Sequence, residues 1–193
     1  MFNKNIIIAF LGPDGSGKTT FIKLLKKKIS KKNISSKQYH LFPHFFENRK
    51  TIIVKNPHSK KPRSKFLSFL KIILWLIKYK IFIIINFFLK YKIVIFDRYA
   101  HDILIDPLRY RFNLNLKLTN FILSMFPQPN LWVIMMNKPS IIWKRKKEVE
   151  YKILAKQLKS YKKFAKKYSN SIICKDTKDI NKIIKYLSNF NET

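Results

Sequence analysis

The chain has 193 residues, 47% of them apolar, which is enough for a real core and too many for a disordered chain. A single cysteine, Cys174, excludes an internal disulfide framework and a cysteine-based zinc cluster. The formal charge of +31 invites a nucleic-acid or anionic-membrane partner, yet only six of the 41 basic residues are arginine. Lysine spread over solvated helix faces is the simpler account.

Ile6–Leu11 is a continuous apolar run, the length of a buried parallel strand and too short for a secretory core segment. The only three glycines of the chain, Gly12, Gly15 and Gly17, follow at once. From Lys18 the pattern turns helical, with Phe21, Ile22, Leu24, Leu25 and Ile29 at three- and four-residue spacing. Residues 39–42 read as a second strand ended by Pro43, and residues 56–64 as a loop. Residues 66–89 are greasy but interrupted by Lys71, Lys78 and Lys80. They predict a helix buried against a sheet rather than a spanning one, with membrane-surface contact as the lesser alternative. Residues 92–96 form a third strand ending at Asp97, and residues 131–136 a fourth. Asn137 and Pro139 are good helix-starting residues for the basic segment that follows. A Lys-rich helix over 151–168, a last strand at Ser171–Cys174 and a closing helix over 180–187 complete the chain. The alternation predicts one α/β domain over residues 1–193, three layers deep, with a mostly parallel five-stranded sheet flanked by helices.

Three segments carry chemistry. "GPDGSGKT" is a complete G-x-x-x-x-G-K-[ST], placed after a strand and opening a helix, as a P-loop NTPase fold requires. Its glycines let backbone N–H groups turn toward phosphate oxygens, while the helix N-terminus adds its dipole. Gly12, Pro13, Asp14, Gly15, Ser16, Gly17, Lys18, Thr19 and Thr20 are therefore the expected ATP-binding segment. Lys18 would reach the β- and γ-phosphates, and the Thr19 hydroxyl would bind Mg²⁺. The second segment is "IVIFDRYAHDILIDPLRYR". Asp97 stands where a carboxylate orders Mg²⁺ beside a P-loop, and Arg98 offers a fork of donors to a phosphate on a second substrate. Asp102, Asp106, Arg109 and Arg111 are expected to line the same side. The third is "WKRKKEVE", residues 143–150, placed where several P-loop kinases carry a mobile lid. Arg145, with Lys146 or Lys147 beside it, is the expected lid cation. His40 and His44 have i, i+4 spacing, but Pro43 between them argues against a metal pair. His101 reads as packing or hydrogen-bonding beside Asp102, and Trp75, Trp132 and Trp143 as packing.

Taken together, these residues resemble the thymidylate kinase family of P-loop nucleoside monophosphate kinases. The likeness rests on the P-loop, a strand ending in Phe-Pro, a long helix, strand-Asp-Arg-Tyr, a strand and a basic lid. The resemblance implies transfer of the γ-phosphoryl of ATP to dTMP or another nucleoside monophosphate, hence a role in nucleotide biosynthesis. It implies that Asp14 reaches toward the acceptor's sugar hydroxyl and that Arg98 holds the acceptor phosphate. Lys18, Arg98 and Arg145 would then carry catalysis, since Gly15 has no side chain to supply the cation in place of the lid. It implies a cytoplasmic enzyme that dimerises through helices, for which residues 66–89 offer a face. The acceptor side departs from the pattern. "AHDILIDPLRYR" replaces the usual continuation after Asp-Arg-Tyr, and His44, with Arg49 further on, stands where an arginine usually follows Phe-Pro. In this the chain resembles the divergent thymidylate kinase-like branch associated with glycan-related genes, so a sugar or sugar phosphate is the alternative acceptor. A nucleic-acid-stimulated ATPase is the distant rival. No Glu follows Asp97 and no separate binding domain is visible, so nucleic acid is not the expected partner.

Overall fold

The computed structural model describes residues 5–41, 58, 60–88 and 91–189. Phe42, Pro43, His44, Arg49 and residues 56, 57 and 59 of the 56–64 loop lie outside the described residues. In chain order the elements are β1 (Ile6–Leu11), α1 (Lys18–Ser30), β2 (Ser36–His40), α2 (Lys65–Phe88), β3 (Ile93–Asp97), α3 (Leu116–Ser124), β4 (Leu131–Met135), α4 (Pro139–Arg145), α5 (Tyr151–Lys167), β5 (Ser171–Cys174) and α6 (Ile180–Asn189). Short 3₁₀ turns occupy Ala100–Leu104, Leu108–Tyr110 and Thr177–Asp179.

The strands form a five-stranded sheet in the order β2-β3-β1-β4-β5, and all four ladders are parallel. Alternate residues of each strand feed opposite layers. Ile7, Ala9, Leu11, Val94, Phe96, Trp132 and Ile134 meet α2, α3 and α5 through Ile72, Trp75, Tyr79, Phe82, Ile122, Tyr161 and Phe164. Ile6, Ile8, Phe10, Ile93, Ile95, Leu131, Val133 and Met135 meet α1 and α6 through Phe21, Ile22, Leu25, Ile29, Ile180, Ile183 and Leu187. Both faces are covered, which is why the central strands read as unbroken apolar runs rather than alternating ones.

β2 begins three residues before the predicted strand, at Ser36 rather than residue 39. It is an edge strand paired only with β3, half-exposed along its length, so polar residues serve it well. No pattern in the sequence anticipates α3. Its N-terminus is capped by Asn115, whose side-chain oxygen accepts from the Lys117 N–H at 2.8 Å.

The register brings the strand tips level. His40 pairs with Asp97 across β2 and β3, and Phe10 pairs with Asp97 across β1 and β3. Because the chain runs from β1 to one side of the sheet and later crosses to the other, a crevice opens beyond the tip of β1. That is where ligands settle in open parallel sheets.

Candidate functional site

A cleft of about 910 Å³ opens over the C-terminal ends of the strands. The tips of four strands contribute His40, Asp97, Met135 and, just past β5, Lys175, and the loop after β1 supplies Asp14 to Lys18. That loop depends on its glycines. Gly12 has φ +147°, and a Cβ there would stand 2.5 Å from the Met135 carbonyl oxygen, so only glycine lets β4 come so close. Gly15 has φ +81°, and its Cβ would meet Ile142 O and Lys146 Cβ at 3.1 Å each. The end of α4 is therefore seated directly on the P-loop.

Lys18 arches back over the loop, donating to the carbonyls of Gly12 at 2.7 Å and Pro13 at 2.9 Å. Burial pushes its ammonium down to about 8, and Arg98 adds to the effect against the pull of Asp14, Asp97 and Asp102. The first turn of α1 has neither a side-chain cap nor an acid, which leaves its N–H groups directed at the cleft. Two buried oxygens, Ser16 Oγ and Asp97 Oδ1, have no hydrogen-bond partner among the described residues. With the Thr19 hydroxyl in the same lining, these hard oxygen donors beside an anion cradle fit a Mg²⁺–nucleotide. Arg145 comes from the last turn of α4, and its Nη1 would lie 3.8 Å from a Cβ on Gly17, over the cradle. On the far side of α1, Lys175, Asp176 and Thr177 close the cleft.

The other end of the cleft is a network of arginines and carboxylates. Arg98, 3% exposed and with φ +80°, donates through Nη2 to Asp14 and through Nη1 to Asp102. Asp14 also pairs with Arg109 at 2.9 Å and Lys146 at 3.5 Å. Burial works to raise the Asp14 carboxyl, but Arg98, with Lys18 and Arg109, overcomes it and holds the group well below the usual carboxylate range. Glu148 lies beside them, accepting from Lys146 at 2.6 Å and facing Arg109 at 3.4 Å. Burial raises its carboxyl and the neighbouring Asp14 raises it further, while Lys146 opposes both. The sequence left Glu148 out of the site. Its signal was scarcity, because it is one of only ten acids in the chain.

Not every expected residue reaches the cleft. Gly15, Ser16, Gly17, Lys18, Thr19, Thr20, Asp14, Asp97, Arg98, Arg109 and Arg145 line it. Asp102 does not. It is fully buried and bonded to Arg98, Tyr110 and Tyr161, so it supports the site from behind instead of lining it. Asp106 faces a small recess, where the His58 ring nitrogen lies 2.9 Å from its carboxylate and the Arg109 N–H donates to it at 3.3 Å. Arg111 turns away, its Nε donating to the Lys61 carbonyl at 3.1 Å from an exposed position. The lid segment predicted over 143–150 is also divided: residues 143–145 end α4, and 146–150 connect it to α5. Asn137 does not cap α4. Lys138 holds that position, and Asn137 ties the turn by accepting from the Lys138 N–H at 2.8 Å.

No family model matches the chain, and no curated protein matches it in sequence. Solved structures do. One is a thymidylate kinase from Candida albicans, whose structure was described as revealing the origin of broad substrate specificity and a novel structural element. It aligns with a TM-score of 0.63 and 20% identity, over 97% of this chain and 94% of its own. Another, a thymidylate kinase from Ehrlichia chaffeensis, aligns with a TM-score of 0.58 and 18% identity, over 95% of this chain and 99% of its own. The chain has the thymidylate kinase fold. Those coverages leave little of either neighbour unmatched.

Proposed function

We propose that the protein is a single-domain P-loop kinase, with residues 143–150 as its lid, that moves the γ-phosphoryl of ATP to a nucleoside monophosphate, dTMP to dTDP first among them. The observation that carries this reading is the convergence of Lys18, Arg145 and Arg98 on one cleft beside Asp97, whose Oδ1 has no partner among the described residues. Phosphoryl transfer needs little covalent help from a protein, so positioned charge is most of what catalysis requires. Lys18 and the α1 N-terminus hold the donor phosphates, and Arg145 spreads charge over the group in transit. Arg98 and Arg109 fix the acceptor phosphate, while Asp14 accepts from an acceptor hydroxyl. Thr19 and Asp97 would hold Mg²⁺, which neutralises charge on the bridging and terminal phosphate oxygens when bound. The segment after α4, seated on Gly15, excludes water that would otherwise be phosphorylated in place of the acceptor. A cytoplasmic location goes with ATP as donor. The family resemblance and the exposed outer face of α2 support a homodimer.

A sugar or sugar phosphate is the second acceptor class. Glu148 favours it, since a second carboxylate beside Asp14 offers another acceptor for hydroxyl hydrogen bonds. The test is ADP release from ATP–Mg²⁺ with dTMP, dUMP, other nucleoside monophosphates and sugar phosphates offered singly. Release with dTMP, reduced by about 10²-fold or more in Lys18→Ala, is the expected result. Release with sugar phosphates alone would move the acceptor to the second class. ATP binding without release for any acceptor would overturn the kinase reading.

A further inference from the structure

Asp102 is a fully buried carboxylate with three side-chain partners drawn from three parts of the fold. Its Oδ2 accepts from Arg98, at the end of β3, and from the Tyr110 hydroxyl at 2.7 Å, in the 3₁₀ turn that also carries Arg109. Its Oδ1 accepts from the Tyr161 hydroxyl at 2.6 Å, on α5, the helix that follows the lid. The backbone joins in, because the Asp102 carbonyl accepts the N–H of Ile105 at 3.0 Å and of Asp106 at 2.9 Å. Both oxygens of the carboxylate are engaged, three hydrogen bonds in all, so no ligand is needed to satisfy it.

Arg98 needs such an anchor. Its φ of +80° lies in a region that arginine rarely adopts, and its long side chain would lose freedom on being fixed. Burial works against its guanidinium charge, and Asp102, with Asp14, more than restores it. The two carboxylates differ in what they can do next. Asp14 holds Arg98 from the cleft side, on a residue that lines the cleft itself. An incoming phosphate competes with Asp14 for Nη2. Asp102 holds Nη1 from the solvent-free side, where nothing can displace it.

We propose that Asp102 is a positioning residue: it keeps the Arg98 fork aimed into the cleft when Asp14 is displaced, and through Tyr110 and Tyr161 it ties that aim to the Arg109 turn and to the helix behind the lid. This rests on the reading of Arg98 as the acceptor-phosphate arginine. It also gives the unusual "HDILIDPLRYR" segment a structural purpose behind the acceptor site, separate from contact with the acceptor.

Asp102→Asn is the test, because its amide nitrogen must point at one of three donors. Two measurements are made on the folded variant, checked by circular dichroism and thermal melting. The first needs no turnover: phenylglyoxal modification of Arg98, followed by peptide mass spectrometry with exposed Arg63 as the internal reference. Arg98 should react several-fold faster in D102N than in the wild type, with Arg63 unchanged. The second is steady-state kinetics, in which the acceptor KM should rise by about tenfold, the scale of one charged hydrogen bond, and the ATP KM should stay level. A role in stability alone would lower the melting point and leave both the Arg98 reaction and the KM ratio unmoved, which would overturn the proposal. If the wild type turns over no acceptor, the kinase reading fails, and the labelling still decides the role of Asp102. Should D102N not fold, Tyr161→Phe and Tyr110→Phe keep the carboxylate and remove one anchor each. Faster Arg98 labelling in them supports the proposal, and wild-type labelling in both overturns it.

Discussion

Lys18 and His101 are both buried cationic residue types, and burial treats them alike by lowering the affinity for a proton. The consequences differ because only Lys18 lines the cleft. Lys18, brought down to about 8, should hold phosphate best when charged. A bound polyanion raises its proton affinity again, so nucleotide binding above pH 8 requires proton uptake. The ATP dissociation constant should then weaken by up to about tenfold per pH unit above 8, and titration calorimetry in buffers of different ionisation enthalpy would show the proton taken up. His101 sits among Tyr99, Phe126, Trp132, Phe164 and Tyr168, where burial brings it from 6.5 to about 3, with Lys167 adding a little. The unfolded chain binds a proton here as pH falls through 6.5, and the folded chain does not until about 3. Stability from this group is present above 6.5 and is lost across that window, at a slope of at most about 1.4 kcal/mol per pH unit. Denaturant melts of His101→Phe between pH 7 and 4 should show a shallower decline than the wild type.

At the scale of elements, α4 and the segment after it decide, under the proposed kinase function, which cation matters. Arg145 projects over Gly17, whereas Lys146 is engaged by Glu148 and Asp14. Arg145→Ala should therefore cost turnover about 10³-fold and Lys146→Ala about tenfold, read as kcat with saturating ATP and acceptor. The reverse order would make Lys146 the cation that reaches the phosphoryl. Elements were legible where the local pattern matched their burial. β1 and β5 have the bounds that their apolar runs imply, because neighbours cover both faces of β1 and turn residues bracket β5. α3 was hidden because Leu114, Leu116 and Leu118 alternate like a strand. Leu116 and Leu118 are exposed, and the face turned inward is Thr119, Ile122 and Leu123. The conformation of the loop after β1 was legible, since the three glycines that permit its positive φ values are consecutive in sequence with its strand and helix. The Asp102 support was not, because Tyr161 comes from 59 positions away and nothing local marks it.

For the whole molecule, the greasiest helix has two apolar sides. α2 buries Ile72, Trp75, Leu76, Tyr79 and Phe82 in the core. Its opposite side carries Leu67, Leu70, Leu74, Ile77, Ile81 and Ile84, all exposed, at alternating steps of three and four residues. That is the spacing of a seam between helices. No helix among the described residues is long and apolar enough to cross a membrane. The proposed homodimer predicts a solution mass of about twice 23.2 kDa by light scattering, falling to the monomer value in a Leu74→Glu, Ile81→Glu variant. A monomeric wild type that sediments with anionic vesicles would assign the seam to a lipid surface instead.

The seat beneath Lys146 has a bearing on substitution. A Cβ at position 15 would lie 3.1 Å from both Ile142 O and Lys146 Cβ, closer than ordinary van der Waals contact. With φ +81° at Gly15, a side chain there is strained and needs the end of α4 to give way by a few tenths of an ångström. Position 15 and the end of α4 are thereby coupled, and a substitution at 15 should be tolerated only with a compensating change at Ile142 or Lys146.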